Sequence, residues 1–146
     1  MRLGVLVNPI AGMGGRVGLK GTDGKVAEAR QRGAEPRAPE RARRMLTRLA
    51  ERDAEIDLLT AAEPMGAGEA RAAGFGPQIV FEPDETTADT TAADTTAAVD
   101  AFLEAGVDLV VFVGGDGTAA DVADALADTD VPLLGVPAGV KVYSSV

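Results

Sequence analysis

The sequence predicts a three-layer, doubly wound α/β fold built on a mainly parallel sheet of about five strands. Two observations predict it. Short runs rich in Val and Leu alternate with helical patterns, and the runs are apolar throughout rather than at every second residue, as in strands covered on both faces. Glycine-bearing turns follow the first, fourth and fifth of these runs, at Asn8, Asp116 and Pro137, and right-handed crossovers place all three turns on one sheet edge.

The elements follow in order. Arg2 to Val7 is a buried first strand that ends at Asn8-Pro9, before a loop holding Gly12, Gly14, Gly15, Gly18, Gly21 and Gly24. A helix runs from about Pro39, a favoured first-turn residue, to about Arg52, with Ala42, Met45, Leu46 and Leu49 as its apolar stripe. Ile56 to Thr60 is the second strand. A weak helix near Glu69–Ala73 stops at Gly74, and Gln78 to Phe81 forms the third strand. A longer helix starts near Thr86–Asp89 and closes at Gly106, a natural left-handed cap. Asp108 to Val113 is the fourth strand, Ala119 to Ala127 its helix, and Pro132 to Val136 the fifth strand.

The most informative stretch is residues 109 to 118, where an apolar strand enters Gly114-Gly115-Asp116-Gly117-Thr118 and leaves into an Ala-rich helical pattern. The three glycines remove every side chain that would keep a phosphate from the backbone. Strand before and helix after are the context such a phosphate-handling loop requires. Asp116, delivered to the sheet edge, either caps the helix beginning near Thr118, worth about 1 kcal/mol, or has a chemical role, binding Mg²⁺ or accepting a proton from an attacking hydroxyl. Thr118 either caps that helix or hydrogen-bonds a phosphate, and the sequence leaves both open.

Composition narrows the chemistry. The chain has no cysteine and no histidine, which excludes disulfides, thiolate nucleophiles, Ser-His-Asp catalysis and most transition-metal sites. Carboxylates, lysines, hydroxyls, backbone amides and a hard cation such as Mg²⁺ remain. With 46% apolar but only 3% aromatic residues, Ala, Val and Leu must build the core. No apolar run approaches the ~20 residues of a membrane span, and the amino terminus enters a strand pattern instead of a signal peptide, so a cytoplasmic location is expected.

The net charge of −9 is uneven: residues 16–52 hold 11 of the 14 basic side chains, and residues 82–130 hold 13 acidic groups and no basic one. Acid excess with only three lysines suggests adaptation to a salt-rich cytoplasm, a halophilic protein in which like-charge repulsion is screened. Nucleic acid is not an expected partner for a chain so acidic and so poor in stacking aromatics.

Secondary features are weaker. Asn8-Pro9 with Gly12, Gly14 and Gly15 is read as a ligand loop, because ordering so many glycines costs backbone entropy. It is not a Walker A loop, and Val17 stands where a Gly-x-Gly-x-x-Gly fingerprint needs its third glycine. Arg37, Arg41, Arg44, Arg48 and Arg52 share one helical face, read as solvated. Lys20 and Lys141 lie in glycine-bearing loops and are either phosphate contacts or simply exposed. The Ala-Asp-Thr-Thr-Ala repeat within residues 88–98 is read as a biased helix entry, not a site.

With these residues assembled, the chain resembles the ATP–NAD kinase family, within the larger group that includes diacylglycerol kinases and phosphofructokinases. Residues 7–15 are similar to the family's first loop, residues 18–24 to its ATP–NAD kinase-like archaeal and bacterial branch, residues 114–118 to the group's signature, and residues 134–141 to the substrate loop that follows. The resemblance implies that ATP phosphorylates the 2′-hydroxyl of NAD to give NADP, with Mg²⁺. It implies Asp116 as the metal-linked or basic carboxylate, and a nucleotide-binding set of Asn8, Pro9, Gly12, Gly14, Gly15, Gly114, Gly115, Gly117, Thr118, Pro137, Gly139 and Lys141. Such kinases complete the cleft with a carboxyl-terminal β-rich domain carrying an Asn-Glu pair. Residues 1–146 are therefore expected to be one nucleotide-binding domain, the front half of a two-domain kinase that is a homo-oligomer when full length. The fifth-strand loop lacks the Asn-x-Gly form usual among NAD kinases, which leaves the acceptor open. Two other readings stand beside this one. A diacylglycerol-type lipid kinase would carry Asn-Glu after the threonine, where Ala119-Ala120-Asp121 stand, and Gly-Thr-Gly-Asn-Asp after the fifth strand, where Ala138-Gly139-Val140 stand; a non-catalytic nucleotide-binding module would bind without turnover.

Overall fold

The computed structural model describes residues 1–13, 25–52, 55–84 and 89–139. Ten elements run β1 (Arg2–Val7), α1 (Val26–Gln31), α2 (Ala38–Ala50), β2 (Asp57–Ala61), α3 (Ala67–Ala72), β3 (Gln78–Phe81), α4 (Ala92–Glu104), β4 (Leu109–Gly114), α5 (Asp116–Ala125) and β5 (Leu133–Pro137). The five strands form one parallel sheet in the order β3-β2-β1-β4-β5.

Burial explains why these runs became strands. Val5, Leu6 and Val7 of β1 and Val110 and Val113 of β4 are fully buried, although successive side chains point to opposite faces. One face packs Leu6, Val110 and Phe112 against Ala98, Val99 and Phe102 of α4 and Ala119 and Val122 of α5. The other packs Val5, Val7, Val111 and Val113 against Ala38, Ala42 and Leu46 of α2 and Ala70 of α3. This is the expected three-layer fold.

Small residues bring the layers together. A Cβ on Gly4 would stand 2.9 Å from the Phe102 ring, and one on Gly135 would stand 2.7 Å from the Phe112 ring. Glycine there leaves room for two of the few aromatic side chains against the sheet. Gly74 and Gly106 end their helices at φ +94 and +72, as the sequence suggests.

Several boundaries differ from expectation. α5 begins at Asp116, not at Ala119, with Gly115 as its N-cap and no side-chain cap. The glycines that argue against helix there are overridden by the tertiary contacts of the first turn. α4 begins at Ala92, three residues after the expected entry, because Thr91 and Asp94 form a reciprocal capping box; residues 85–88 lie outside the described set. α1 was not expected at all. Its buried Val26 and Ala29 join Met13, with Ile10 and Ala34 partly buried against them, in a small satellite cluster, too short a pattern to register as a helical period.

Candidate functional site

β1 and β4 are adjacent in the sheet, and the chain leaves them in opposite directions: β2 lies outside β1, and β5 outside β4. The carboxyl edge between them is the switch point at which open α/β sheets bind ligands. Asn8 follows β1 there, and Gly115 and Asp116 follow β4.

The two turns are joined directly. The Asn8 amide Nδ2 donates to Thr118 Oγ1 at 2.9 Å, while Asn8 Oδ1 accepts from the Ile10 N–H at 3.2 Å, an Asx turn that folds the loop back on itself. The Asn8 N–H donates to the Val113 carbonyl at 3.0 Å, so the end of β1 is tied to β4 by backbone as well. Thr118 is only 5% exposed. It stands in the first turn of α5, packed so closely on Gly114 that a Cβ there would lie 2.6 Å from Thr118 Cβ. Gly114 is thus required by the protein's own packing. Gly115 is different: a Cβ would meet nothing within 4 Å.

A cleft of 670 Å³ opens beside this junction. Asn8 and Ile10 supply one wall, Val26 and Ala27 of α1 a second, Gly117, Thr118 and Asp121 of α5 a third, and Asp89 to Ala92 with Thr95, at the start of α4, the fourth. The amino-terminal ends of α4 and α5 both meet it, and each brings the positive end of a helix dipole. Arg30 of α1 pairs with Asp89 at 3.1 Å, closing the ring between the second and fourth walls.

Among the expected residues, Asn8, Gly117 and Thr118 line this cleft. Asp116 is exposed, one residue before Gly117, and is not among the lining groups. It occupies the first turn of the helix, so it cannot be the cap of a helix that starts at Thr118. Thr118 is likewise no N-cap. Gly12 meets Ala138, the residue after Pro137, and a Cβ on Gly12 (φ +84) would stand 2.2 Å from the Ala138 carbonyl oxygen. Gly14, Gly15, Lys20 and Lys141 lie outside the described residues.

The sequence reading passed over two groups. Thr90, Thr91 and Thr95 belong to the repeat read as a biased helix entry and not a site; Thr91 does cap α4, and all three line the cleft. Asp121 lies one helical turn after Gly117 and brings a carboxylate to it. The i,i+4 spacing from Gly117 was the one available signal. The Arg stripe is also less solvated than expected: Arg41 is half-buried and donates to the Pro137 carbonyl.

The family model of the ATP-NAD kinase N-terminal domain matches residues 3–146. The chain belongs to the ATP-NAD kinase family. The match spans all five strands and every wall of the cleft, and it makes the chain a kinase-type phosphotransferase domain. No curated protein and no solved structure matches it. Among the described residues of this kinase domain, no helix is long and apolar enough to cross a membrane.

Proposed function

We propose that the domain supplies the nucleotide half of an enzyme that transfers the γ-phosphoryl group of ATP to the 2′-hydroxyl of NAD, giving NADP and ADP. The observation that carries this reading is the Asn8–Thr118 bond. It joins the first loop and the Gly-Gly-Asp-Gly-Thr turn into one wall, at the switch point of a chain in the ATP-NAD kinase family.

Phosphates fit that wall for two reasons. Gly115, two residues before the cleft-lining Gly117, leaves open space in front of the backbone, and the amino termini of α4 and α5 face the cleft. The cleft also carries Asp121, and Asp89 in its pair with Arg30, and a phosphate group paired with a metal ion meets such carboxylates with less repulsion than a bare one. Among the described residues there is no cluster of three or more acidic groups able to hold a cation alone. Mg²⁺ would be held through one or two carboxylates, waters and substrate phosphates; Asp116, exposed beside the cleft, is proposed as its protein ligand or, instead of that, as the proton acceptor. When bound, the ion neutralises charge on the β- and γ-phosphate oxygens.

The transfer needs little else from the protein. The ribose 2′-oxygen forms a bond to the γ-phosphorus as the bond to the β,γ-bridging oxygen breaks. With Asp116 as the acceptor, the hydroxyl proton passes to its carboxylate, and ADP leaves with the electron pair. Asn8 and Thr118 fix the wall, and Thr90 brings a hydroxyl to the cleft for the phosphates or the ribose. A carboxyl-terminal domain, proposed from the family, would complete the cleft and hold the acceptor.

The test is NADP formation by the full-length protein from ATP, Mg²⁺ and NAD, with Asp116→Asn and Asp121→Asn beside the wild type. Loss of turnover by about 10³-fold or more in Asp116→Asn, with the fold intact, is the expected result. Wild-type turnover from Asp116→Asn together with an inactive Asp121→Asn would transfer the acid's role to the group lining the cleft. Nucleotide binding without phosphorylation of any acceptor would make the protein a sensing module, and turnover on a diacylglycerol would make it a lipid kinase.

A further inference from the structure

The strongest constraint behind the cleft lies on the other face of the sheet, at Arg41 of α2. Arg41 Nη1 donates to the Pro137 carbonyl, the last of β5, at 2.6 Å. The N–H of the next residue, Ala138, donates to the Gly114 carbonyl at 2.9 Å. In a trans peptide the C=O and N–H point to opposite sides. One peptide plane is therefore gripped from both sides, by Gly114 toward β4 and by the guanidinium beyond the sheet edge. β5 is the outermost strand of the described sheet, so no described strand neighbour holds the Pro137 carbonyl.

The same helix grips the first loop. The Arg37 N–H, at the N-cap of α2, donates to the Ala11 carbonyl at 3.4 Å. Ala138 is fully buried, and its carbonyl stands where any side chain on Gly12 would have to be. Ala11, Ala38, Ala42 and Ala138 close this corner with small side chains only. Docking of α2 is already provided by Ala38, Ala42 and Leu46, all fully buried. A half-buried guanidinium costs desolvation that another apolar residue would avoid, so helix packing alone does not account for Arg41.

We propose that Arg41 is a positioning residue for the nucleotide cleft. Through the Pro137 carbonyl it fixes the peptide whose N–H holds Gly114, and so sets the turn from Gly114 to Thr118. The link to catalysis rests on the kinase reading above; the link to the turn does not.

The experiment compares wild type with Arg41→Met and Arg41→Lys in the full-length protein, using steady-state kinetics with ATP and NAD and amide hydrogen exchange. Arg41→Gln, too short to reach the carbonyl, is read alongside in case the apolar variant does not fold. In Arg41→Met, KM for ATP is expected to rise about tenfold, the loss of one charge-assisted hydrogen bond, with kcat falling less. Exchange should accelerate in residues 114–118 and at Ala138 and Gly139 while the α2 amides stay protected. Arg41→Lys, which keeps one donor for one carbonyl, should restore both to within about threefold. Unchanged exchange in 114–118 overturns the proposal, and so does acceleration in α2 as large as in the turn, which would mark Arg41 as a packing residue. If the wild type makes no NADP, the kinase reading falls, and the exchange comparison still decides the role of Arg41.

Discussion

Asn8 and Thr118, 110 positions apart, are joined by a 2.9 Å hydrogen bond from the Asn8 amide to the Thr118 hydroxyl. The bond holds the first loop on the first turn of α5. Because the hydroxyl rotates, it can donate as readily as accept, and this separates two substitutions at position 8. Asn8→Ala removes the bond and the Asx turn, and is expected to cost about 1–2 kcal/mol of stability as well as weakening ATP binding. Asn8→Asp keeps an acceptor for both Thr118 and the Ile10 N–H but adds a negative charge to the cleft. It should unfold near the wild-type denaturant midpoint yet bind ATP at least tenfold more weakly. Equal affinity in Asn8→Asp and wild type would mean that no anion approaches this wall.

Gly12 gives a prediction with its own control. At φ +84, a side chain is both strained and aimed into the Ala138 carbonyl oxygen, 2.2 Å from an ideal Cβ. Gly12→Ala is expected to cost about 2–4 kcal/mol, the sum of left-handed strain and overpacking. Gly33 has φ +78 but nothing within 4 Å. Gly33→Ala should therefore cost only the strain, about 1 kcal/mol. Chemical denaturation of both variants measures the difference, and equal midpoints would show that the Gly12–Ala138 contact relaxes freely.

How much of this was legible varies by element. β3 falls on Gln78–Phe81 as the sequence suggests, because a short apolar run between glycine and charged residues has only one reading. The start of α5 was misplaced because Gly115 and Gly117 are poor helix formers; burial of Thr118 and its bond to Asn8 hold that turn helical, and neither is local. The start of α4 was ambiguous for a different reason. The Ala-Asp-Thr-Thr-Ala repeat offers the same capping residues in successive registers, and only packing selects Thr91. The contribution of that repeat to the cleft depends on α4 lying beside α5, a relationship between elements that no window of sequence contains. Arg41 looked like one charge in a solvated stripe, since its partner is a backbone carbonyl 96 residues away.

Charge leads to a third expectation. The net charge is −9, and the surface pairs that salt would weaken are exposed, such as Arg2–Asp57 and Arg48–Glu51. Exposed pairs contribute little, so screening should remove more repulsion than attraction. The midpoint of thermal unfolding, followed by far-UV circular dichroism, is expected to rise as KCl is raised from low concentration toward 1 M, where the Debye length falls to about 3 Å. Full stability at low salt, unchanged by KCl, would sink the salt-adapted reading.

Gly114 and Gly115 are neighbours in sequence with opposite demands, and substituting each in turn separates folding from binding. Alanine at 114 would drive a Cβ to 2.6 Å from Thr118, and in so tight a corner the strain should appear as a loss of about 1–3 kcal/mol. Alanine at 115 meets no protein atom within 4 Å, at a φ of −109 that any residue adopts. Its stability should fall by less than about 1 kcal/mol, the difference between glycine and alanine at an N-cap. If phosphates lie against this turn, the new methyl group takes their place, and ATP affinity should drop by tenfold or more while the fold is kept. Isothermal titration of ATP·Mg²⁺ into Gly115→Ala makes the measurement. Wild-type affinity there would mean that the open space in front of Gly115 is not where the nucleotide binds, and the phosphates would have to be sought at the α4 end of the cleft.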